Sequence, residues 1–560
     1  MSTTVAVIGG VGLFLLGMSV MTGGLKAMAG PSLRTVLGKA AATPLSGVFW
    51  GAFVTLLVQS SSATTMTTIG LVSAGLLNFP QGLGLVFGAN IGTTGTGWLV
   101  ALIGVRVSLT AFALPLIFIG ALVKLLGRGR LSAAGAALAG FALVLFGLTT
   151  LQQGMGGLAE QLHPADLPAV TAAAGAGWWS GMLGVLILVV VGLVMTALMQ
   201  SSTAAIAVTL SAYHAGAVGL DQSCALIIGQ NIGTATSSAL AAIGASSTAK
   251  RLAVAYILFK LIAAVLALVL FPVVTPMLVR ASNTIDGVTL LAAYHTAYNV
   301  IGVLVLLPII QKFTKFVERI LPERGSPLTR CLDPAALEIP IAAVEGARRT
   351  VARALEAICN SISSRLEANS AGGAVRPGDV LIAEAASALS QTQVFMTDVS
   401  GPPETEEDQQ RLTSTLHALD HASRLAEVAG QEADISPGKG GLEDTRVVQL
   451  CADAMRNAAL IAAKISAQTG VQATADPISS SHRETTHWEG TADGALVQLE
   501  QSARGLNEVQ PAYRAATLGA VGSGALTADE AIVRVDTARR IEAIAHHAWR
   551  CAVHLVGDQK

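Results

Sequence analysis

A polar motif set in apolar sequence occurs twice in this chain. Gln59-Ser60-Ser61-Ser62-Ala63-Thr64 returns as Gln200-Ser201-Ser202-Thr203-Ala204-Ala205. Gly88-Ala89-Asn90-Ile91-Gly92-Thr93 returns as Gly229-Gln230-Asn231-Ile232-Gly233-Thr234. Both pairs are offset by 141 residues, so the sequence between the motifs aligns without a gap. Thr55/Thr196, Gly51/Gly192, Ala74/Ala215 and Gly75/Gly216 match at the same offset. A duplicated polar pattern in a hydrophobic background predicts a transporter built from internal repeats, with its function in the duplicated segments.

Charge divides the chain. Residues 1–320 carry 14 Lys/Arg and 5 Asp/Glu, whereas residues 321–560 carry 21 and 31. Apolar runs near the ~20 residues needed to cross a bilayer fill the first part and stop near Ile310. The expectation is a transmembrane domain over 1–320, a linker over 321–334 and an acidic helical domain over 335–560. The run Leu13-Phe14-Leu15-Leu16-Gly17 lacks a basic segment before it, so it reads as the first membrane helix rather than a signal peptide. Cys224, Cys331, Cys359, Cys451 and Cys551 are scattered and suggest neither a disulfide framework nor a zinc site. The nearly neutral balance argues against nucleic acid as a partner. With no nucleophile–base constellation and no nucleotide loop, an enzyme is not expected, nor an organic cofactor.

Segments 45–58 and 61–77 are short for full crossings and flank the first motif, which predicts a re-entrant helical hairpin with its tip inside the membrane. The segments 178–199 and 203–218 around the second motif form the equivalent pair. Two re-entrant QSS hairpins place 11 of the 14 basic residues of this part on one side, in the connections at 26–44, 124–130, 246–251 and 312–319. That is the cytoplasmic side by the positive-inside rule. Each repeat (about 5–124 and 131–278) then crosses three times, so the second is inverted relative to the first. The N-terminus is expected outside and the acidic domain in the cytosol of a cell-membrane protein. The helix 288–311 falls outside the duplication.

The motifs restrict the chemistry. No Asp or Glu precedes Glu160, so a relay of buried acids is not expected. Ser60, Ser61, Ser62, Ser201, Ser202 and Thr203 can donate O–H bonds to an anion or present oxygen to a cation. A helix that restarts at a break adds unpaired N–H groups and a positive dipole end, an anion site without formal charge. Gln59, Gln200, Asn90 and Asn231 offer neutral carbonyl oxygens suited to Na+, and Thr55 and Thr196 precede the glutamines by one helical turn. Thr93 and Thr234 close the second motif in each copy. The Gly88/Gly92 and Gly229/Gly233 pairs also suit close helix packing. His295 and Asn299 are candidates for supporting the site, and Lys260, inside an apolar run, is expected to face a wet cavity.

Both QSS motifs, both G-x-N-I-G-T segments, the LFLLG run and the His295-Thr296…Asn299 pattern resemble the type II sodium–phosphate cotransporter family over about residues 5–312. The resemblance implies Na+-coupled transport of inorganic phosphate, with Na+ as coupling ion and the two hairpins forming the substrate and sodium region. Thr203 and Ala205 depart from the first copy by replacing a serine and a threonine. Residues from about 335 onward resemble the PhoU-like domains appended to bacterial members, all-helical bundles with E/D-x-x-x-D metal motifs. Here Arg424 stands at the end of the motif that begins at Asp420, and His546 at the end of the one that begins at Glu542. A multinuclear metal cluster is therefore not expected; regulation is the role the analogy implies, and a homo-oligomer or a cytosolic regulatory partner is the association to look for.

Overall fold

The computed structural model describes residues 2–29, 41–104, 110–160, 163–168, 170, 178–243, 246–322, 326–337, 339–371, 378–399, 401, 405–431, 442–467 and 489–557. Arg34, Lys39 and Arg106, three of the residues used to orient the chain, lie outside them. Among the described residues the regular structure is entirely helical. Contacts divide the chain into Met1–Val72 with Asn78–Glu323, and Ser73–Leu77 with Arg324–Lys560.

The first unit runs α1 (Thr3–Ala29), α2 (Pro44–Val58), α3 (Ser61–Ser73), α4 (Phe79–Thr93), the short α5 (Gly95–Leu99), α6 (Thr110–Leu126), α7 (Arg130–Ala159), α8 (Trp178–Met199), α9 (Ser202–His214), α10 (Leu220–Ala241), α11 (Ser247–Ala281), α12 (Gly287–Leu306) and α13 (Ile310–Ile320). Among the described residues, six helical stretches are long and apolar enough to cross a membrane, while α2 and most of α6 are apolar but shorter. Phe49, Phe53, Phe118, Leu186, Val190, Val265 and Val269 stand exposed on several of these helices. An apolar surface of that kind is stable against lipid rather than water, because the helices satisfy their own backbone groups. The chain is a polytopic membrane protein.

Close backbone approach organises this unit. The two related runs Leu13–Gly17 and Leu143–Gly147 lie against each other in α1 and α7. A Cβ on Gly17 would strike the backbone of Leu143 and Val144, and one on Gly147 would strike that of Leu13 and Phe14. The same logic joins α2 to α4 and α8 to α10. A Cβ on Gly88 would meet the Val48 carbonyl oxygen, and one on Gly229 the Val189 carbonyl oxygen. Val48 and Val189 are themselves one repeat offset apart, so the packing repeats along with the sequence. These glycines serve close helix contact, the role small residues commonly have between membrane helices.

The second unit contains α14 (Pro340–Ala371), α15 (Gly378–Thr397), α16 (Glu406–Ala429), α17 (Leu442–Ala467), α18 (Glu489–Gly522) and α19 (Ala528–Val556). Thr415, Ala418, Leu419, Ala422, Leu425, Ala426 and Ala429 form the buried face of α16 at helical spacing. All but Thr415 join Leu355, Ile358, Leu389, Met455, Leu499, Ile541 and Ile544 in one core. Glu345 is fully buried and is held by Arg349 at 2.8 Å and Arg348 at 3.2 Å. Burial alone would raise its carboxyl, but the two guanidinium groups outweigh it and hold the pKa below the usual range. Asp420 and Arg424 form an exposed ion pair at 3.1 Å. Among the described residues, no three His, Cys, Asp or Glu side chains are grouped to hold a metal ion.

Candidate solute-binding site

Each QSS motif sits at a helix break. Helix α2 ends at Gln59, which is in the left-handed conformation (φ 55°), and α8 ends at Gln200 (φ 50°). Among the described residues these are the two non-glycine positions with positive φ. A left-handed turn at a bulky residue costs about 1–3 kcal/mol and persists only where the surroundings impose it. Here the amide supplies part of that restraint, in the same way in both copies. Gln59 Nε2 donates to the Leu56 carbonyl (2.6 Å), and its Oε1 accepts from Thr96 Oγ1 (2.6 Å). Gln200 Nε2 donates to the Ala197 carbonyl (2.5 Å), and its Oε1 accepts from Ser237 Oγ (2.9 Å).

The chain restarts as a helix one residue later. Ser60 Oγ accepts from the Ala63 N–H (3.3 Å) and Ser201 Oγ from the Ala204 N–H (3.2 Å). Both first serines therefore cap a helix, and Ser201 Oγ also shares a hydrogen bond with Thr203 Oγ1 (3.0 Å). The N–H groups of Ser61, Ser62, Ser202 and Thr203, in the first turns of α3 and α9, have no partner within the helix by geometry.

Both breaks open onto one cavity of about 580 Å3. Gln59, Ser60, Ser61, Ser62 and Thr93 line it from the first copy; Thr196, Gln200, Ser201, Ser202, Thr203 and Thr234 line it from the second. Ser19, Thr22, Thr65, Ser237, Ser238 and Tyr256 add hydroxyls that the motif comparison did not select. Ser237 carried a usable signal, since it stands one repeat offset after Thr96. Among the described residues, Lys26 is the one charged residue in the lining, and none of the lining residues is a carboxylate. Two helix N-termini, a ring of O–H donors and a lysine give the cavity positive character and suit it to an anion.

Other expected site residues lie behind this surface. Asn90 Oδ1 accepts from Tyr256 OH (3.1 Å), and Tyr256 OH also approaches Thr234 Oγ1 (3.4 Å). Asn231 Nδ2 donates to Asn299 Oδ1 (3.1 Å), while Asn299 Nδ2 donates to the His295 carbonyl (2.8 Å). Asn90, Asn231, His295 and Asn299 are all buried and none lines the cavity. Lys260, expected to face water, is likewise buried: its Nζ lies over the Tyr256 ring and donates to Asn231 Oδ1. Thr55 turns away to bond Thr64 (Oγ1···Oγ1 2.8 Å). In the second copy Ala205 stands at the position of Thr64, and the buried hydroxyl of Thr196, at the cavity wall, has no partner among the described residues.

A polytopic helical protein whose membrane unit encloses a hydroxyl- and amide-lined cavity between two helix breaks has the form of a solute carrier. Residues 13–153 and 183–292, most of the first unit, match the family described as Na+/Pi-cotransporter. YqeW of Bacillus subtilis, named as an uncharacterized protein, is 28% identical over 311 residues, 56% of this chain and 96% of YqeW. The "Putative inorganic phosphate export protein YjbB" of Escherichia coli (strain K12) is 28% identical over 360 residues, 63% of each chain. A 61-residue stretch is 44% identical to sodium-dependent phosphate transport protein 2A of Oryctolagus cuniculus, covering 11% of this chain and 10% of that protein. No solved structure matches.

Proposed function

We propose that this chain moves inorganic phosphate across the cell membrane with Na+ as coupling ion, by alternating access around the cavity between the two QSS breaks. The observation that carries this reading is the convergence of two helix N-termini on one cavity whose described lining holds no carboxylate. Phosphate takes the donors of Ser60, Ser61, Ser62, Ser201, Ser202 and Thr203. Sodium takes oxygens of Gln59, Thr93, Thr196, Gln200 and Thr234, which line the same cavity; Thr55, Asn90 and Asn231 support them from behind. Burying a multiply charged anion is costly unless its charge is matched. Co-bound cations offset that cost and thereby couple the two solutes.

The antiparallel self-contact of Leu13–Gly17 with Leu143–Gly147, and the repeated packing at Gly88 and Gly229, favour two inverted repeats with the short helices around each QSS motif as re-entrant hairpins. One repeat then moves against the other about a fixed midplane site. In this reading the N-terminus lies outside, residues 1–320 form the transport domain and the 335–560 bundle is a cytosolic PhoU-like regulatory domain. The name of the YjbB relatives favours export as the physiological direction, which the same site performs with the gradients reversed.

Radiolabelled phosphate uptake into proteoliposomes, with and without an inward Na+ gradient, tests the reading. Uptake that requires Na+ and is lost in Ser61→Ala/Ser202→Ala is the expected result. Binding of phosphate with no flux under any gradient would instead make the chain a phosphate sensor.

A further inference from the structure

Among the charged side chains described in the membrane unit, Lys260 alone is fully buried, at 2% exposure. It stands near the middle of the 35-residue helix α11, too far from either end for its amine to reach the bilayer surface. Its contacts are few. Nζ donates to Asn231 Oδ1 and lies 5.3 Å from the centroid of the Tyr256 ring. No carboxylate pairs with it among the described residues. An ammonium held this way has one amide oxygen and a π face in place of a counter-ion, an expensive arrangement in a low-dielectric interior.

The surroundings show what the charge faces. Asn231 is held in one orientation, because its Nδ2 donates to Asn299 Oδ1 at 3.1 Å and so turns Oδ1 toward Lys260. A buried, oriented amide oxygen is the kind of ligand a hard monovalent cation takes, and an ammonium tethered to the chain already occupies it. Tyr256 separates this ammonium from the cavity: its ring lies beneath Lys260, and the residue also lines the space between the two QSS breaks. The positive charge thus sits one side chain behind the donors of the anion site, where the field of a buried charge is weakly screened.

We propose that Lys260 is a resident cation of the transport site. Its ammonium takes the position at Asn231 Oδ1 that a Na+ ion would otherwise take, and it offsets part of the charge of the oxyanion in the cavity. The chain accordingly binds one Na+ fewer than it would with a small neutral residue at position 260. This rests on reading the cavity as an oxyanion site.

Equilibrium binding of radiolabelled Na+ to the purified full chain, without phosphate, counts ions per chain in wild type, Lys260→Ala and Lys260→Arg. Lys260→Ala is expected to bind one more Na+ than wild type, with methylammonium competing for the added ion. Lys260→Arg is expected to keep the wild-type count. Equal counts in wild type and a Lys260→Ala protein with a cooperative melt would overturn the proposal. Should that variant not fold, Lys260→Met retains an unbranched side chain of similar length and removes the charge. At fixed Na+ it is expected to bind inorganic phosphate at least tenfold more weakly, and an unchanged affinity would equally refute the idea. A wild-type chain that binds no phosphate defeats the oxyanion reading instead, and the Na+ comparison still decides whether the ammonium fills a cation position.

Discussion

Gln59 and Gln200 adopt the same left-handed backbone conformation, with φ of 55° and 50°, and each holds its amide to a carbonyl three residues back. Two equal departures from ordinary backbone geometry, one repeat offset apart and facing one cavity, mark positions where strain is retained for the site. Glycine adopts this conformation freely. Gln59→Gly is therefore expected to change stability by no more than about 1 kcal/mol while removing an amide from the cavity wall. Proteoliposome flux should fall at least tenfold with the detergent melting temperature nearly unchanged. A variant that transports as well as wild type would show the amide to be dispensable.

The two copies part company at Thr55 and Thr196. Thr55→Val breaks the 2.8 Å bond to Thr64 and is expected to destabilise the ion-free protein by about 1 kcal/mol. Thr196→Val removes a buried hydroxyl that has no partner among the described residues, and is expected to stabilise by a similar amount. Unfolding in detergent without Na+ compares them directly. If Thr196 ligates sodium, the stabilisation that added Na+ confers on wild type shrinks in Thr196→Val.

Contact between α8 and α10 depends on the absence of a side chain at Gly229. An added methyl meets the Val189 carbonyl oxygen, a backbone atom that moves only if a helix moves. Gly229→Ala is expected to cost 2 kcal/mol or more, on the order of an overpacked core, and to lower the yield of folded protein. Gly156→Ala in α7, where a Cβ would meet nothing within 4 Å, serves as the tolerated control. Similar yields of the two variants would mean that the helices adjust without loss.

Five histidines gather between α16 and α19. His421 Nδ1 lies 3.1 Å from His547 Nδ1, His417 stacks on His554, and His546 packs at the edge. Burial, reinforced by His547, Arg550 and His554 and opposed by Asp420, brings the His421 pKa down to about 4. Burial with His546 and Arg424 lowers His547 as well, again against Asp420. A histidine whose folded pKa lies below its unfolded value of about 6.5 favours the fold only while neutral. Stability is therefore complete above about pH 6.5 and declines as pH falls toward 4. Hydrogen exchange in peptides covering 406–429 and 528–556 should accelerate over that interval in wild type. His421→Gln should flatten the response; an identical pH profile in the variant would remove the histidines as its cause.

Much of the fold is legible in the sequence. The 141-residue offset located both helix breaks, because a polar sequence inside an apolar one has few stable forms in lipid other than an interrupted helix. The absence of carboxylates before Glu160 left hydroxyls, amides and helix ends as the available chemistry. Apolar residues recur at helical spacing in 410–429 and 531–556, within α16 and α19, since one buried face suffices to define such a helix.

What the sequence determined by itself was therefore the helical character of the chain, the places where its membrane helices are interrupted and the kinds of groups available there. Only the tertiary structure decided which of those groups share a cavity. Asn90 and Asn231 carry the same motif logic as the glutamines, yet they point away. The contacts through Gly88 and Gly229 set the rotation of α4 and α10, and helix rotation directs a side chain toward solvent or toward a neighbour. Lys260 shows the same limit from the other side. Its apolar flanks predicted exposure to water, while α10 supplied an amide oxygen and α11 itself a tyrosine ring that together hold the charge in the interior.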